Sequence, residues 1–473
     1  MTAPTPMTAA PQPSGTFARR VTAVFSTKIF AFVVSFATSI VLSRMLGTTL
    51  KGEYVAVIAV PGLLGAIGVF GLPNAINYFA ARGMSIRGLF WAGILFTAIL
   101  SAILVGALWI ALPQLHKSIF SGAPEDLMRL GLITVPAALL STFGSAVLYG
   151  RQQIRSYSMI LIAQAAMTFS LVVVLVGILR WGVVGAVVAS ISATWLLAIV
   201  TEIVVARLIP NGPAGSPVSY RSLISYGGRL YPSSITGYFN YRIDVFIIQA
   251  VMVGQSSQLG LYSMAVTMAE LLFKVPDSVT MIFLPRVSGA TPAQADALLP
   301  RVARLNMLIT CICAVGLIPS GYIGIHLVLP AFAPCLPSFY ILLPAVIAIS
   351  LAKVLTSYIA GRGHPGPVSA GATVAVASNV VANFLLIPHF GIEGAAAASL
   401  ISYTLLAAMM LVVACRLSHL SPVTIVVPGP AEFRILWSTG RRAISALRNR
   451  PAGRGGGSRP GEATGEIGGG EPS

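Results

Sequence analysis

The chain has 473 residues, of which 56% are apolar and only 9% charged, and its mean hydropathy is +0.86. That balance excludes an ordinary soluble domain and points to an integral membrane protein. The net charge of +17 raises the question of nucleic acid, which the placement of the charges answers below.

The opening MTAPTPMTAAPQPSGTFARR is polar and Pro-rich. It does not read as a cleavable signal, because the apolar run that follows is too long for an h-region and no small-residue cleavage site closes it. Residues 1–19 are therefore expected to be a disordered cytoplasmic tail. Apolar runs then recur to Cys415, and each needs only about 20 residues to cross the hydrocarbon core. Twelve are read, near 21–46, 55–80, 88–112, 127–149, 157–179, 183–208, 224–252, 260–285, 302–329, 338–360, 367–388 and 392–415. The expected organisation is an N-lobe over 20–208, a cytoplasmic connection over 209–223 and a C-lobe over 224–415. A basic, largely disordered cytoplasmic tail is expected over 416–473. Within that tail a short interfacial helix is one reading of the stretch around Ala431 to Leu447.

An even number of spans puts both termini on one side. The short loops of that side hold ten arginines, among them Arg82, Arg151, Arg221 and Arg301, whereas the opposite side holds Arg44, Lys51, Lys117, Arg129 and Arg180. This asymmetry predicts cytoplasmic termini by the positive-inside rule, in a multi-pass membrane protein. The basic excess is thus assigned to topology and anionic lipid, with no nucleic-acid partner. Four cysteines, Cys311, Cys313, Cys335 and Cys415, form no zinc or disulfide framework by spacing and are expected to pack as small apolar side chains. No metal and no cofactor is expected.

The two halves resemble each other. LGTTLKGEYVAV (Leu46 to Val57) corresponds to VGQSSQLGLYSMAV (Val253 to Val266), sharing a Gly and then Gly-x-Tyr. GRQQIRSYS (Gly150 to Ser158) corresponds to GRGHPGPVS (Gly361 to Ser369), and WGVVGAVVAS (Trp181 to Ser190) matches FGIEGAAAAS (Phe390 to Ser399) at five of ten positions. The offset is near 208 residues. Six spans per half give both halves the same polarity, hence a parallel repeat about an axis along the membrane normal. Repeat transporters of this kind hold substrate at the midplane between halves and rock one half against the other.

Charges inside the spans are the next signal. Lys28, Arg242, Asp244, Glu270, Lys274, Asp277 and Lys353 lie in apolar surroundings, and an isolated charge at a helix centre costs about 2.5–3.5 kcal/mol on insertion scales. They must pair or line water. Arg242 and Asp244 are two residues apart and point to different faces of a helix, so each needs a partner elsewhere. Glu270, Lys274 and Asp277 follow i, i+4, i+7 spacing and form one stripe, expected to face the interior. Two readings stand: static ion pairs between helices, such as Arg242 with Glu270, or a hydrated central cavity for an anionic substrate.

VLSRMLGTTLKGEYVAVIAVPGLLGAIGVFGLPNAINYFAAR (Val41 to Arg82) resembles the opening signature of the polysaccharide-export branch of the multidrug/oligosaccharidyl-lipid/polysaccharide (MOP) exporter superfamily. RIDVFIIQAVMVGQSSQLGLYSMAVTMAELLFKVPDSVTMIFLPRVS (Arg242 to Ser288) resembles its second-half counterpart. The resemblance covers roughly Thr16 to Arg416. It implies an all-α polytopic fold of about twelve transmembrane helices in two six-helix lobes, arranged as a V around a cavity lined by helices one, two, seven and eight. It implies a non-enzymatic flippase for undecaprenyl-pyrophosphate-linked oligosaccharide, with Lys28, Arg242, Lys274 and Lys353 as head-group contacts. Asp244, Glu270 and Asp277 are then ion-coupling or charge-pairing acids, the bilayer is a partner, and a polysaccharide polymerase and co-polymerase are further expected partners. A cation-coupled multidrug exporter of the same superfamily is the alternative. Against it, VFSTKIFAFVVSFATSIVL (Val24 to Leu42) offers Lys28 and no acid. An intramembrane glycosyl- or acyltransferase is a third reading, weakened by histidines that stand singly.

Overall fold

The computed structural model describes residues 14–118, 123–210, 219–430, 432–434 and 441. Met1–Val427 form one compact unit and Pro428–Ser473 a second, in which Glu432 accepts from the Gly429 N–H at 2.9 Å.

Helices account for nearly all of the described chain, as they must in lipid, where the backbone has no other way to satisfy its own hydrogen bonds. α1 (Ser14–Gly68) and α2 (Leu72–Ala81) are followed by α3 (Ile86–Ser118), α4 (Glu125–Leu132), α5 (Thr134–Gly150) and α6 (Ile154–Val172), which ends in a π-helical turn over Val173–Ile178. α7 (Gly182–Arg207), α8 (Tyr220–Val251), α9 (Ser256–Ser288) and α10 (Pro292–Val328) come next. A 3₁₀ turn, Pro330–Cys335, leads into α11 (Leu336–Gly361), and α12 (Pro365–Ser418) and α13 (Pro422–Val426) complete the series.

α1 and α12 are each two helices joined at one glycine. Gly47 has φ 70 and Gly391 φ 57, a left-handed conformation that glycine adopts at no steric cost. The chain reverses at both points. Lys51 Nζ reaches Ser39 Oγ at 3.3 Å and Asn379 Nδ2 reaches Ser402 Oγ at 3.1 Å, whereas straight helices would hold these pairs about 18 Å and about 34 Å apart. Nine helices among the described residues are long and apolar enough to cross a membrane. With α1 and α12 doubled they supply eleven crossings, and the more polar α8 occupies the place of the expected seventh. Large apolar side chains face outward, with Ile110 80% and Leu327 78% exposed, as lipid contact requires and water does not allow on this scale.

Several boundaries differ from expectation. The second run is interrupted between Gly68 and Leu72, where Phe70 and Gly71 both take positive φ. The fourth is split at Ile133 into α4 and α5. Residues 14–19, expected to be disordered, already belong to α1, and Arg416–Ser418 and Pro422–Val426 are helical within the expected disordered tail. Most of the stretch around Ala431 to Leu447 lies outside the described residues. The largest correction concerns Lys51, expected in an exposed outer loop: the one-residue turn at Gly47 leaves no loop there, and Lys51 is a buried helical residue, 3% exposed.

The internal repeat is legible in atoms. A Cβ on Gly52 would fall 1.7 Å from the Ser256 carbonyl oxygen, and a Cβ on Gly260 would fall 2.0 Å from the Thr48 carbonyl oxygen. These are the same contact made twice, each half presenting its glycine to the carbonyl of the other. Tyr54 Oη lies 2.9 Å from Ser190 Oγ, and the equivalent Tyr262 lies beside Ser399, the counterpart of Ser190. Gly185 packs on the Leu175 carbonyl as Gly394 packs on that of Leu386. The first run of α1 and α9 lie alongside each other in antiparallel register, which the neighbours Phe32 and Lys274, Ser43 and Met264, and Thr48 and Gly260 define.

Candidate functional site

A cavity of about 780 Å³ lies between α1, α6, α8 and α9. Six of the seven residues singled out from the sequence line it: Lys28, Arg242, Asp244, Glu270, Lys274 and Asp277. The i, i+4, i+7 stripe of α9 faces this cavity as its spacing predicts. Lys353 does not line it. Its Nζ is held 2.5 Å from Asp277 Oδ1 and lies over the rings of Phe273 and Tyr241, which places it behind the acid that reaches the cavity.

Arg242 and Asp244 take different partners, as their angular separation on α8 demands. Arg242 Nη2 stands 3.4 Å from Glu270 Oε1, with side chains 49% and 30% exposed. That is a loose, wet pair, and such pairs contribute at most about 1 kcal/mol and open readily. Asp244 is buried, and its carboxylate accepts from the Tyr262 hydroxyl and, at 2.9 Å, from the Val245 N–H. Tyr262 is itself wholly buried, so the acid is clamped rather than solvated.

The cavity has two unlike ends. Lys28, Arg242 and Asp277 are exposed, whereas Lys51, Asp244, Tyr54 and Tyr262 are buried. It is open at the Lys28 end and sealed where α1 and α9 meet at Gly52 and Gly260. Lys274 lies between, its Nζ 4.3 Å from the Phe32 ring centroid, a cation–π contact that holds an ammonium without neutralising it. Sequence reasoning missed Lys51, which also lines the cavity. Its Nζ donates to Ser43 Oγ at 2.5 Å and Ser39 Oγ at 3.3 Å, with Met264 Sδ at 3.4 Å and the Phe332 ring centroid at 5.3 Å. The signal available was its place in the Gly-x-Tyr repeat, one residue before Gly52. With Lys51 counted, four cations and three acids face the space.

A second cavity of about 550 Å³ adjoins the first and shares Ile58, Tyr157, Leu161 and Gln164 with it. No charged residue lines it. Its polar groups are hydroxyls, including those of Thr134, Ser145 and Thr194, with the Gln164 amide. Elsewhere, His116, His326 and His389 bond backbone carbonyls at 2.8 to 3.0 Å, and among the described residues no His, Cys, Asp and Glu cluster could hold a metal ion.

The fold is similar to that of known transporters. An inward-facing multidrug resistance MATE family transporter of the MOP superfamily superposes with a TM-score of 0.63 at 14% identity, over 88% of this chain and 96% of that one. Lipid II flippase MurJ, in an inward closed conformation, gives a TM-score of 0.69 at 13% identity, over 91% and 93%. An outward-facing multidrug resistance MATE family transporter of the MOP superfamily gives a TM-score of 0.57 at 14% identity, over 91% of this chain and 96% of that one. No curated protein matches the chain in sequence. The model of the family described as polysaccharide biosynthesis protein matches residues 17–288, more than half of the chain, and takes in both glycine contacts and every cavity-lining charge, so the chain belongs to that family.

Proposed function

We propose that the protein is a flippase that moves undecaprenyl-pyrophosphate-linked oligosaccharide repeat units from the cytoplasmic to the periplasmic leaflet of a bacterial inner membrane, for assembly of a surface polysaccharide. The observation that carries this reading is the pair of adjoining cavities of opposite character. One bears cations suited to a pyrophosphate; the other is neutral and hydroxyl-lined, as a carbohydrate requires. A ligand that is anionic at one end and polyhydroxylated at the other fits both at once, while its lipid tail stays in the bilayer.

In this reading Lys28 meets the phosphate at the open, cytoplasmic end. Arg242 exchanges its loose contact with Glu270 for the stronger charge-assisted bonds that a phosphate offers a guanidinium. Lys274 supplies a third cation from α9, and Lys353 holds Asp277 in place. Asp244, sealed beneath Tyr262, is the candidate for coupling-ion binding. Access alternates by rocking the halves, which opens and closes the α1–α9 contact.

Deletion of the gene should remove a surface glycan and trap its lipid-linked repeat unit on the cytoplasmic leaflet. Arg242→Ala and Lys274→Ala should each lower export at least about tenfold, the loss of one charge-assisted contact, with normal membrane abundance. Normal export in both variants would overturn the reading. A change confined to drug sensitivity would favour the multidrug exporter, and a repeat unit that is never made would favour an enzyme.

A further inference from the structure

Lys51 is the buried cation of the cavity, and its surroundings are unlike those of the others. Its neighbours are two hydroxyls, a thioether, an aromatic ring and the buried Cys335 thiol. Among the described residues no carboxylate stands within ion-pair distance of it. A buried ammonium is ordinarily paired with a carboxylate or coordinated by one, because desolvation is not repaid by neutral groups alone. A lysine at 3% exposure, bordering a cavity and lacking a counter-charge, is a site that an anion would complete.

Its height matters as much as its burial. Lys51 Nζ sits level with Ser39 and Ser43 on the first run of α1, eleven to fifteen residues beyond Lys28, which is about 16–22 Å along the helix axis. Lys274, beside Phe32, and Arg242, beside Glu270, lie between them. The cations therefore form a ladder that begins at the open end of the cavity and finishes under its seal. It spans more than half of a hydrocarbon core of about 30 Å.

We propose that Lys51, with the Ser39 and Ser43 hydroxyls, is a second phosphate site at the closed end of the cavity, to which the substrate's phosphate passes from the Lys28–Lys274 end before release on the far side. The inference rests on the flippase reading and adds to it a distal station. Opening of the α1–α9 contact at Gly52 and Gly260 uncovers this amine to the opposite compartment, so the group that holds the phosphate last is the one the resting state keeps covered. A single cationic site at mid-depth would hold the anion without drawing it past the midplane; a graded series moves it by short exchanges.

The chain has five lysines, Lys28, Lys51, Lys117, Lys274 and Lys353, which makes amine footprinting decisive. The full chain in phosphatidylcholine nanodiscs is acetylated in pulses, alone and with farnesyl pyrophosphate, inorganic pyrophosphate or farnesol, and each lysine is read by peptide mass spectrometry. The expected result is at least fivefold slower acetylation of Lys28, Lys274 and Lys51 with farnesyl pyrophosphate, weaker protection by inorganic pyrophosphate, none by farnesol, and an unchanged Lys117. Protection of Lys28 and Lys274 without Lys51 would overturn the distal site and leave the flippase reading standing. Protection of none of the three would overturn both. A Lys51 that is never acetylated would also overturn the distal site, since an amine that never opens to water cannot receive the phosphate. Protection by phosphatidylglycerol nanodiscs alone would assign Lys51 to bulk lipid headgroups and likewise reject it. As a second measure, Lys51→Met should cut glycan export at least tenfold at normal abundance and Lys51→Arg should restore it; equal export by Lys51→Met and the native chain would reject the site.

Discussion

Substitution of Gly260 by alanine tests the crossing that seals the cavity. The new Cβ would lie 2.0 Å from the Thr48 carbonyl oxygen and 3.0 Å from the Gly52 nitrogen, both backbone atoms with no rotamer to move, whereas ordinary contact begins at 3.4 Å. α1 and α9 must therefore separate by roughly 1.4 Å, and overpacking of this kind costs about 1–3 kcal/mol. Gly237→Ala is the control, because a Cβ there meets nothing within 4 Å and alanine in a helix gains about 0.5–1 kcal/mol over glycine. Unfolding in mixed micelles should place the two variants about 1.5–4 kcal/mol apart, combining those two effects. Gly52→Ala, the mirror contact at 1.7 Å, should behave like Gly260→Ala. The double variant should cost less than the sum, since helices already forced apart accommodate the second methyl. Equal stability of Gly260→Ala and Gly237→Ala would refute the close crossing, and strict additivity would refute a shared displacement.

Tyr262→Phe removes the hydroxyl donor to the buried Asp244 carboxylate and should destabilise by about 1–3 kcal/mol, against about 0.5–1.5 kcal/mol for Tyr54→Phe, whose partner Ser190 is neutral; the same unfolding assay ranks them, and the reverse order would contradict the clamp. Asp277→Asn leaves Lys353 without its acid, but Asp277 is 49% exposed, so the loss should stay within about 1 kcal/mol and shrink at high salt. Gly391→Ala places a Cβ at φ 57 and should cost about 1–2 kcal/mol, while Gly366→Ala, with open space around it, should be neutral or better.

Much of this architecture was legible because two kinds of pattern are local. Apolar runs of sufficient length announce crossings wherever they occur, and the repeated Gly-x-Tyr and the matched serines Ser190 and Ser399 marked equivalent places that the structure brings into equivalent contacts. The α9 stripe was legible for the same reason: i, i+4, i+7 spacing fixes a face before any neighbour is known. Lys51 was not. Its segment, GTTLKGEY, looks like a polar loop, and the residues that bury it, Met264 and Phe332, are more than two hundred positions away. Lys353 looked like a cavity residue because its own helix says nothing of Asp277, the partner that α9 supplies. The breaks at Phe70 and Ile133 fall within apolar runs whose hydropathy does not change.

Asp244 corresponds in the repeat to Phe36, so the duplicated scaffold carries its acid on one side only, yet the contact joining the halves remains reciprocal. Thr48, Gly52, Ser256 and Gly260 behave mechanically as one joint made from two copies of a single part. A bulkier residue at any of the four reshapes the seat of its twin, and compensation must come from the other half of the chain. Drift in this protein is therefore free to diversify the chemistry of each wall while the seal can change only in concert.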